Sequence, residues 1–149
     1  MSSIKSVSII GSGNVAVGDI RSTGSATAYN TSSDYRLKEN VTTISDGITR
    51  LKTLKPSRFN FISNPSQTVD GFLAHEVTAV PEAISGTKDE VVTQAMIDNG
   101  DAPSDSKLND PIYQQIDQAK LVPLLTAALQ EAVAKIETLE SKVATLEGS

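Results

Sequence analysis

The sequence predicts an α+β fold in three zones, which completes its core by assembling with copies of itself. Three observations support this prediction: a β-branched, glycine-rich start, a mixed middle and a heptad repeat at the end. Aromatic residues make up only 4% of the 149 residues and tryptophan is absent, so we expect one chain to have a thin apolar core. Association with further copies is one way for such a chain to become stable.

Residues 1–32 carry few charged side chains and many Ser, Thr, Gly and Asn residues. This zone contains β-branched residues, among them Ile9, Val17 and Ile20, together with several glycines, a pattern typical of short strands separated by turns. Because this zone has few large side chains, it cannot close a core alone. We expect it to form the end of an elongated β-stalk whose strands pack against neighbouring chains.

Residues 33–116 mix helical and extended patterns. A short helix is expected to start at Ser45 or Asp46, both of which are good caps, and to end before Pro56. Phe59 and Phe61 then alternate with polar neighbours, as in a strand. This zone should therefore be built from short helices and strands.

The second half of this zone is less regular. Residues 71–74 are a second candidate strand, and a short helix is expected after them, halted at Pro81. Residues 82–110 carry seven acidic and two basic side chains and few large apolar ones. This composition predicts a long solvated loop, with at most a short strand at Val91–Val92.

The last zone, residues 117–149, carries a heptad repeat. From Val122 onwards, apolar residues recur every three or four positions over four heptads, which indicates a coiled-coil helix. Because proline has no backbone N–H to donate, we expect the helix either to begin close to Pro123 or to bend at this residue. The a and d positions are Val122, Leu125, Leu129, Ala132, Ile136, Leu139, Val143 and Leu146.

The charges beside this apolar seam favour a parallel assembly. The g positions include Lys135 and Lys142, and the e positions five residues after them are Glu140 and Glu147. In a parallel, in-register coiled coil each of these lysines meets a glutamate of the neighbouring chain. The seam residues do not decide between two and three strands. The alternative is a helix that lies on the core of its own chain.

Composition excludes several kinds of site. The net charge of −5 argues against a phosphate-binding face for nucleic acid. The absence of cysteine excludes disulfides and thiolate zinc sites, and a single histidine excludes a two-histidine metal motif. No apolar stretch approaches the ~20 residues of a membrane helix, and the first residues lack signal-peptide features. We expect no cofactor, no metal, no nucleic-acid partner and no membrane insertion.

One motif is typical of a different class of protein, the nucleotide-binding enzymes. Gly11, Gly13 and Ala16 match the G-x-G-x-x-G/A pattern of dinucleotide-binding turns. That pattern needs a following helix within a parallel-sheet unit, whereas the residues after Ala16 are poor helix formers. The glycines are more simply explained as turns between strands, so a nucleotide-binding enzyme is the weakest functional interpretation.

Residues 33–41, SDYRLKENV, resemble the opening motif of the peptidase S74 family. The resemblance continues through GFLAHEV at 71–77 and LVPLLTAALQEA at 121–132, and it covers about residues 33–149. The sequence departs from the family pattern at Gln118, where an aromatic residue is expected, and in its acidic loop. Members of this family are C-terminal intramolecular chaperone, auto-processing domains of phage tailspikes, tail fibres and endosialidases.

The resemblance implies a parallel homotrimer with a β-stalk end (1–32), a chaperone and auto-processing region (33–116) and a three-stranded coiled coil (117–149). Such a domain trimerises and registers a phage tail fibre or tailspike in the virion tail, and it is made in the host cytoplasm. Its partners would be its own copies, the upstream fibre stalk and other tail proteins. The alternative is an uncleaved, permanent tip of the fibre that acts in structure or host attachment.

The resemblance also implies a single-turnover, self-cleaving serine endopeptidase of the Ser–Lys type. It assigns Ser33 as the nucleophile, Lys38 as the base and the bond between Ser32 and Ser33 as the one that is cut. His75 matches an accessory histidine. Without the resemblance, the segment would be interpreted as a capped turn with solvated charges, and His75 as a packed or exposed histidine.

The proposed chemistry sets two physical requirements. A lysine acts as a base only when neutral, which requires desolvation or nearby positive charge to lower its pKa from about 10.4; Arg36 is a candidate source of that charge. A five-residue offset places Ser33 and Lys38 on opposite faces of a strand, or about 140° apart on a helix. The two side chains can therefore meet only around a bend or between two chains.

Overall fold

The computed structural model describes residues 5–11, 14, 16–22 and 25–148. These residues form an α+β structure, as predicted, in two compact units, Met1–Thr43 and Ile44–Ser149. The elements are β1 (Lys5–Ile10), β2 (Ala16–Ser22), β3 (Thr27–Thr31), α1 (Gly47–Leu51), β4 (Ser57–Phe61), β5 (Asn64–Gly71), β6 (Ile84–Ser85), α2 (Gln94–Asn99), β7 (Gln115–Ile116) and α3 (Val122–Glu147).

The first unit is an antiparallel sheet in the order β1-β2-β3. Val7 lies opposite Ile20, and Ile20 lies opposite Tyr29, so these side chains form an apolar row across one face. The three side chains are 40–78% exposed, and none of the described residues of this unit is buried. The strands are confirmed, and the sheet has no core of its own, as the composition predicted.

The opposite face of this sheet is polar. Asp19 accepts hydrogen bonds from Asn30 Nδ2 (2.6 Å) and Arg21 Nη2 (2.9 Å). These bonds, that of Asn30 first, hold the pKa of Asp19 below its ordinary value of 3.8. Because successive side chains of a strand point to opposite faces, the sheet presents one polar and one apolar surface.

The glycine-rich motif does not lead into a helix. Gly13 lies outside the described residues, and Ala16 is the first residue of β2. A dinucleotide-binding turn requires a helix at this point. The described residues after the motif therefore form a strand and not the helix of a dinucleotide-binding turn.

The core of the second unit lies between the chain after β5 and the start of α3. β6 pairs with β7, and the backbone N–H of Asp117 donates to the carbonyl of Ala83 (2.8 Å), which joins the two segments. The buried cluster consists of Val77, Val80, Ala83, Leu121 and Leu124, against which Leu54, Phe72, Ala79, Ile84 and Ile116 pack.

Helix α1 packs against α3 at very short range. Asp46 makes no side-chain cap; instead the carboxylate of Glu131 accepts hydrogen bonds from the backbone N–H groups of Gly47 and Ile48. A Cβ on Gly47 would lie only 2.5 Å from the backbone nitrogen of Ala128. The short helix begins where the sequence predicts, after Asp46, and ends earlier than predicted, at Leu51.

Two predictions for residues 71–81 are wrong. β5 ends at Gly71, so the strand predicted for residues 71–74 does not form. β5 is mostly polar and lacks an apolar alternation; it forms because Asn64 and residues 68–71 pair with β4. The helix predicted before Pro81 is only a 3₁₀-helix, Ala74–Glu76, and Pro81 starts another one.

The acidic segment 82–110 is more structured than a solvated loop. It contains α2, which begins after Thr93, whose hydroxyl caps the helix. The strand predicted at its centre is a single bridge between Val91 and Pro111, while Val92 is buried. Local caps and a few long-range backbone bonds therefore order a segment whose composition predicts exposure.

Helix α3 uses two different faces. Its 26 residues begin at Val122, next to Pro123, as predicted, and its buried residues are Leu124, Ala127 and Ala128. The apolar a and d residues are 44–75% exposed, apart from the half-buried Ala132. The alternative of a helix on its own core thus describes the first turns of α3 but not the heptad seam. No helix in the described part of the chain combines the length and apolarity that a bilayer crossing requires.

Candidate active site

The residues predicted to carry chemistry lie just after β3. Ser32 is attached twice to β2: its backbone N–H donates to the carbonyl of Val17 (2.9 Å), and its Oγ donates to the carbonyl of Ala16 (3.2 Å). The upstream side of the Ser32–Ser33 peptide bond is therefore anchored to the sheet.

A single turn of 3₁₀-helix, Tyr35–Leu37, bends the chain on the downstream side. The carboxylate of Asp34 accepts a hydrogen bond from the backbone N–H of Arg36 (2.9 Å), and the backbone N–H of Lys38 donates to the carbonyl of Tyr35 (3.1 Å). Asp34 and Lys38 are both extended. Aspartate is favoured here because its short side chain reaches the backbone two residues ahead.

This bend brings Lys38 back to Ser33. The Nζ of Lys38 donates to the Oγ of Ser33 at 2.7 Å, within one chain. The two side chains could meet around a bend or between two chains, and in the described chain they meet around a bend. The distance lies within the reach that a base needs to take a proton from a nucleophile. The catalytic roles of the two residues remain a prediction.

Arg36 is engaged with Asp34. Its Nε and Nη2 atoms donate to the two carboxylate oxygens at 2.9 and 2.7 Å. The side-chain bonds from Arg36, together with its backbone N–H and the charge of Lys38, lower the pKa of Asp34, and Asp34 raises the pKa of Arg36. The guanidinium therefore neutralises the carboxylate. It is not the free positive charge that the sequence analysis expected.

The pair of Ser33 and Lys38, called the dyad below, is exposed. The side chains of Asp34 and Arg36 are exposed as well. A neutral lysine is favoured by a dry environment, which the bend alone does not provide.

His75 lies in the second unit, exposed, in the 3₁₀-helix Ala74–Glu76. Its neighbour Glu76 forms an ion pair with Lys55 at 3.1 Å. The accessory role of His75 remains a prediction. Across the described ranges, no cluster of three or more histidine, aspartate or glutamate side chains is arranged to hold a metal ion.

The role of Asp34 was not predicted from the sequence. The structure uses its carboxylate to close the bend and pairs it with Arg36. An aspartate followed two residues later by a free backbone N–H is a known turn signal, so the pattern was available.

Comparison with known proteins adds one finding. Residues 33–85 match the Peptidase_S74 family model, described as chaperone of endosialidase, which confirms the family resemblance over this part of the chain. This range contains the dyad and His75. No curated protein matches the chain.

Proposed function

Because residues 33–85 belong to the Peptidase S74 family, chaperone of endosialidase, we propose that the chain is the C-terminal intramolecular chaperone of a phage tail fibre or tailspike. Three copies assemble in parallel through α3 and align the stalk upstream of them. Each chain then cuts its own Ser32–Ser33 bond and releases residues 33–149. The chain acts during assembly of the virion tail, after synthesis in the host cytoplasm.

The observation that carries this proposal is the exposed seam of α3. The helix already packs on its own chain through Leu124, Ala127 and Ala128, yet its a and d residues leave a second apolar stripe uncovered over four heptads. A stripe of this length and period is typical of a coiled-coil interface. The heptad seam is therefore available to another chain while the intrachain contact is kept.

Charge complementarity identifies a second copy as the partner. In a parallel assembly, Lys135 of one chain approaches Glu140 of the next, and Lys142 approaches Glu147. An unrelated helix would not be expected to match both positions. The partner of the seam is therefore proposed to be the same helix of a neighbouring chain.

The first unit explains why assembly is needed. The described residues of the first unit leave the apolar row of Val7, Ile20 and Tyr29 exposed, so copies of the sheet would gain stability by packing these rows together. Strands from separate chains pair slowly and slip in register. A coiled coil forms from local contacts, holds the chains at equal height and lowers the entropic cost of starting the stalk.

The geometry of the bend supports a specific cleavage reaction. Neutral Lys38 takes the proton from the Ser33 hydroxyl, the oxygen adds to the carbonyl carbon of Ser32, and the proton passes to the Ser33 nitrogen as the C–N bond breaks. Water then hydrolyses the resulting ester, which leaves a carboxylate on Ser32 and restores the Ser33 hydroxyl. Assembly is proposed to cover the exposed dyad and favour the neutral lysine.

Mass spectrometry of the purified protein tests assembly and cleavage together. Under native conditions we expect three copies, and under denaturing conditions we expect fragment 33–149. Ser33→Ala should keep three copies of the uncut chain. A single copy at working concentration would overturn the assembly, whereas three uncut parent chains would support the alternative of a permanent fibre tip.

A pair of matched substitutions tests the seam. Ile136→Glu places a charge at an a position, and Ala134→Glu places the same side chain on the exposed outer face of the same turn. We expect Ile136→Glu to weaken assembly at least tenfold, because the charge must be buried, and Ala134→Glu to leave it unchanged. Equal effects in sedimentation equilibrium would show that this stripe is not the interface.

A further inference from the structure

We propose that Asp34 is a positioning residue for self-cleavage, and that Arg36 prevents the charge of Asp34 from holding the proton on Lys38. This inference rests on the proposed cleavage between Ser32 and Ser33. It gives the Asp34–Arg36 pair two separable tasks, one geometric and one electrostatic.

The geometric task is closure of the bend. Oδ1 of Asp34 accepts the backbone N–H of Arg36 at 2.9 Å, which starts the 3₁₀ turn, and Lys38 is the first residue after that turn. The same turn leaves Lys38 Nζ 2.7 Å from Ser33 Oγ. Without this cap the chain between the two catalytic side chains loses one of the bonds that hold it bent, so the dyad spends less time in contact.

The electrostatic task concerns the proton of Lys38. A carboxylate beside an ammonium stabilises the protonated form and opposes a lysine that must act as a base. Both oxygens of Asp34 accept hydrogen bonds from the guanidinium of Arg36, which balances this charge. The other acidic group of the segment is Glu39, the exposed chain neighbour of Lys38. Arg36 therefore lets Asp34 serve as a cap without acting as an unpaired anion.

Three variants separate the two tasks. Asp34→Asn keeps a side-chain oxygen for the cap but leaves Arg36 cationic, so the pH of half-maximal cleavage should fall by about half a pH unit at low salt. Arg36→Ala leaves the carboxylate unpaired, so this pH should rise by a similar amount. Asp34→Ala removes the cap as well and should lower the maximal rate roughly fivefold.

The assay starts from uncut full chain that is isolated and kept denatured in acid, so that it has neither assembled nor cleaved, and this chain is diluted into buffers of increasing pH and sampled over time. Mass spectrometry measures the appearance of fragment 33–149. The matched controls are Asp70→Asn and Arg58→Ala, which break a pair of the same type in the β4–β5 hairpin (2.7 and 3.0 Å). These controls should leave the pH of half-maximal cleavage unchanged.

The proposal is supported if the pH of half-maximal cleavage shifts in opposite directions in Asp34→Asn and Arg36→Ala and does not shift in the two hairpin controls. Slower cleavage with an unmoved pH dependence, or the same shift in the hairpin controls, overturns it. If the parent assembles but does not cleave at any pH, the proposed self-cleavage is wrong, and this inference fails with it. Circular dichroism of each variant verifies that the chain is folded.

Discussion

Helices α1 and α3 can approach each other as they do only because residue 47 has no side chain. A Cβ on Gly47 would lie 2.5 Å from the nitrogen of Ala128, 2.8 Å from the carbonyl carbon of Ala127 and 2.9 Å from the Cα of Ala128. These are backbone atoms of a long helix, so they cannot rotate out of the way. The substitution Gly47→Ala therefore has to push the two helices apart.

The size of the effect follows from these distances. Non-bonded carbon atoms pack at about 3.5–4.0 Å, so the helices must separate by roughly 1 Å, which forfeits up to about half of the dispersion energy of the contacts involved. The bond between Glu131 and the Ile48 N–H, already 3.2 Å, would also be lost. Overpacking costs about 1–3 kcal/mol and the bond about 1 kcal/mol, while replacing a helical glycine returns up to about 1 kcal/mol. We expect a net loss of about 1–3 kcal/mol.

Urea unfolding followed by circular dichroism measures this loss. The chain concentration must be held constant, because assembly makes the stability of the protein depend on it. The control is Gly148→Ala, at the end of α3, where the new Cβ meets only the carbonyl oxygen of Ala144, at 3.3 Å. If Gly47→Ala is as stable as the parent and the control, the close approach of α1 to α3 is refuted.

Three further predictions follow from other contacts. Mixed assemblies of Ser33→Ala and Lys38→Ala chains should stay uncut, because nucleophile and base belong to one chain; cleavage of the Lys38→Ala chain, seen by mass spectrometry, would refute this. Lys142→Glu should weaken assembly at low salt by about 0.5 kcal/mol per contact, and a second change, Glu147→Lys, should restore it; sedimentation equilibrium without restoration contradicts the pairing. Arg58, on the strand opposite Asp70, donates hydrogen bonds to the Asp70 carboxylate and lowers the pKa of Asp70 below 3.8. The ionised carboxylate of Asp70 therefore stabilises the fold above about pH 4, and this stabilisation is lost as the pH falls. Asp70→Asn should therefore flatten the acid side of a plot of melting temperature against pH, and an unaltered acid side would contradict this.

The parts of the structure that depend on neighbours in the chain were predictable. The short strands of residues 5–31, the start of α3 beside Pro123 and the stripe of a and d residues all follow from local periods and caps. The contact between Ser33 and Lys38 belongs to the same class, because five residues and one capped turn contain everything that forms it. A bend was one of the two ways predicted for these side chains to meet, but its cap at Asp34 was not predicted.

Other features required the tertiary structure. Glu131 caps α1 across a separation of 84 residues, and the close contact at Gly47 depends on how two helices approach, which no local pattern encodes. β5 is polar throughout most of its length and exists because β4 supplies its backbone partners. By itself, the sequence determined α3 and its heptad repeat, since both depend on spacing along one chain, whereas the residues of the dyad were assigned through the resemblance to a family. Only the folded structure decided which face of α3 packs on its own chain and which residue caps the start of α1, because those contacts form only when distant parts of the backbone meet.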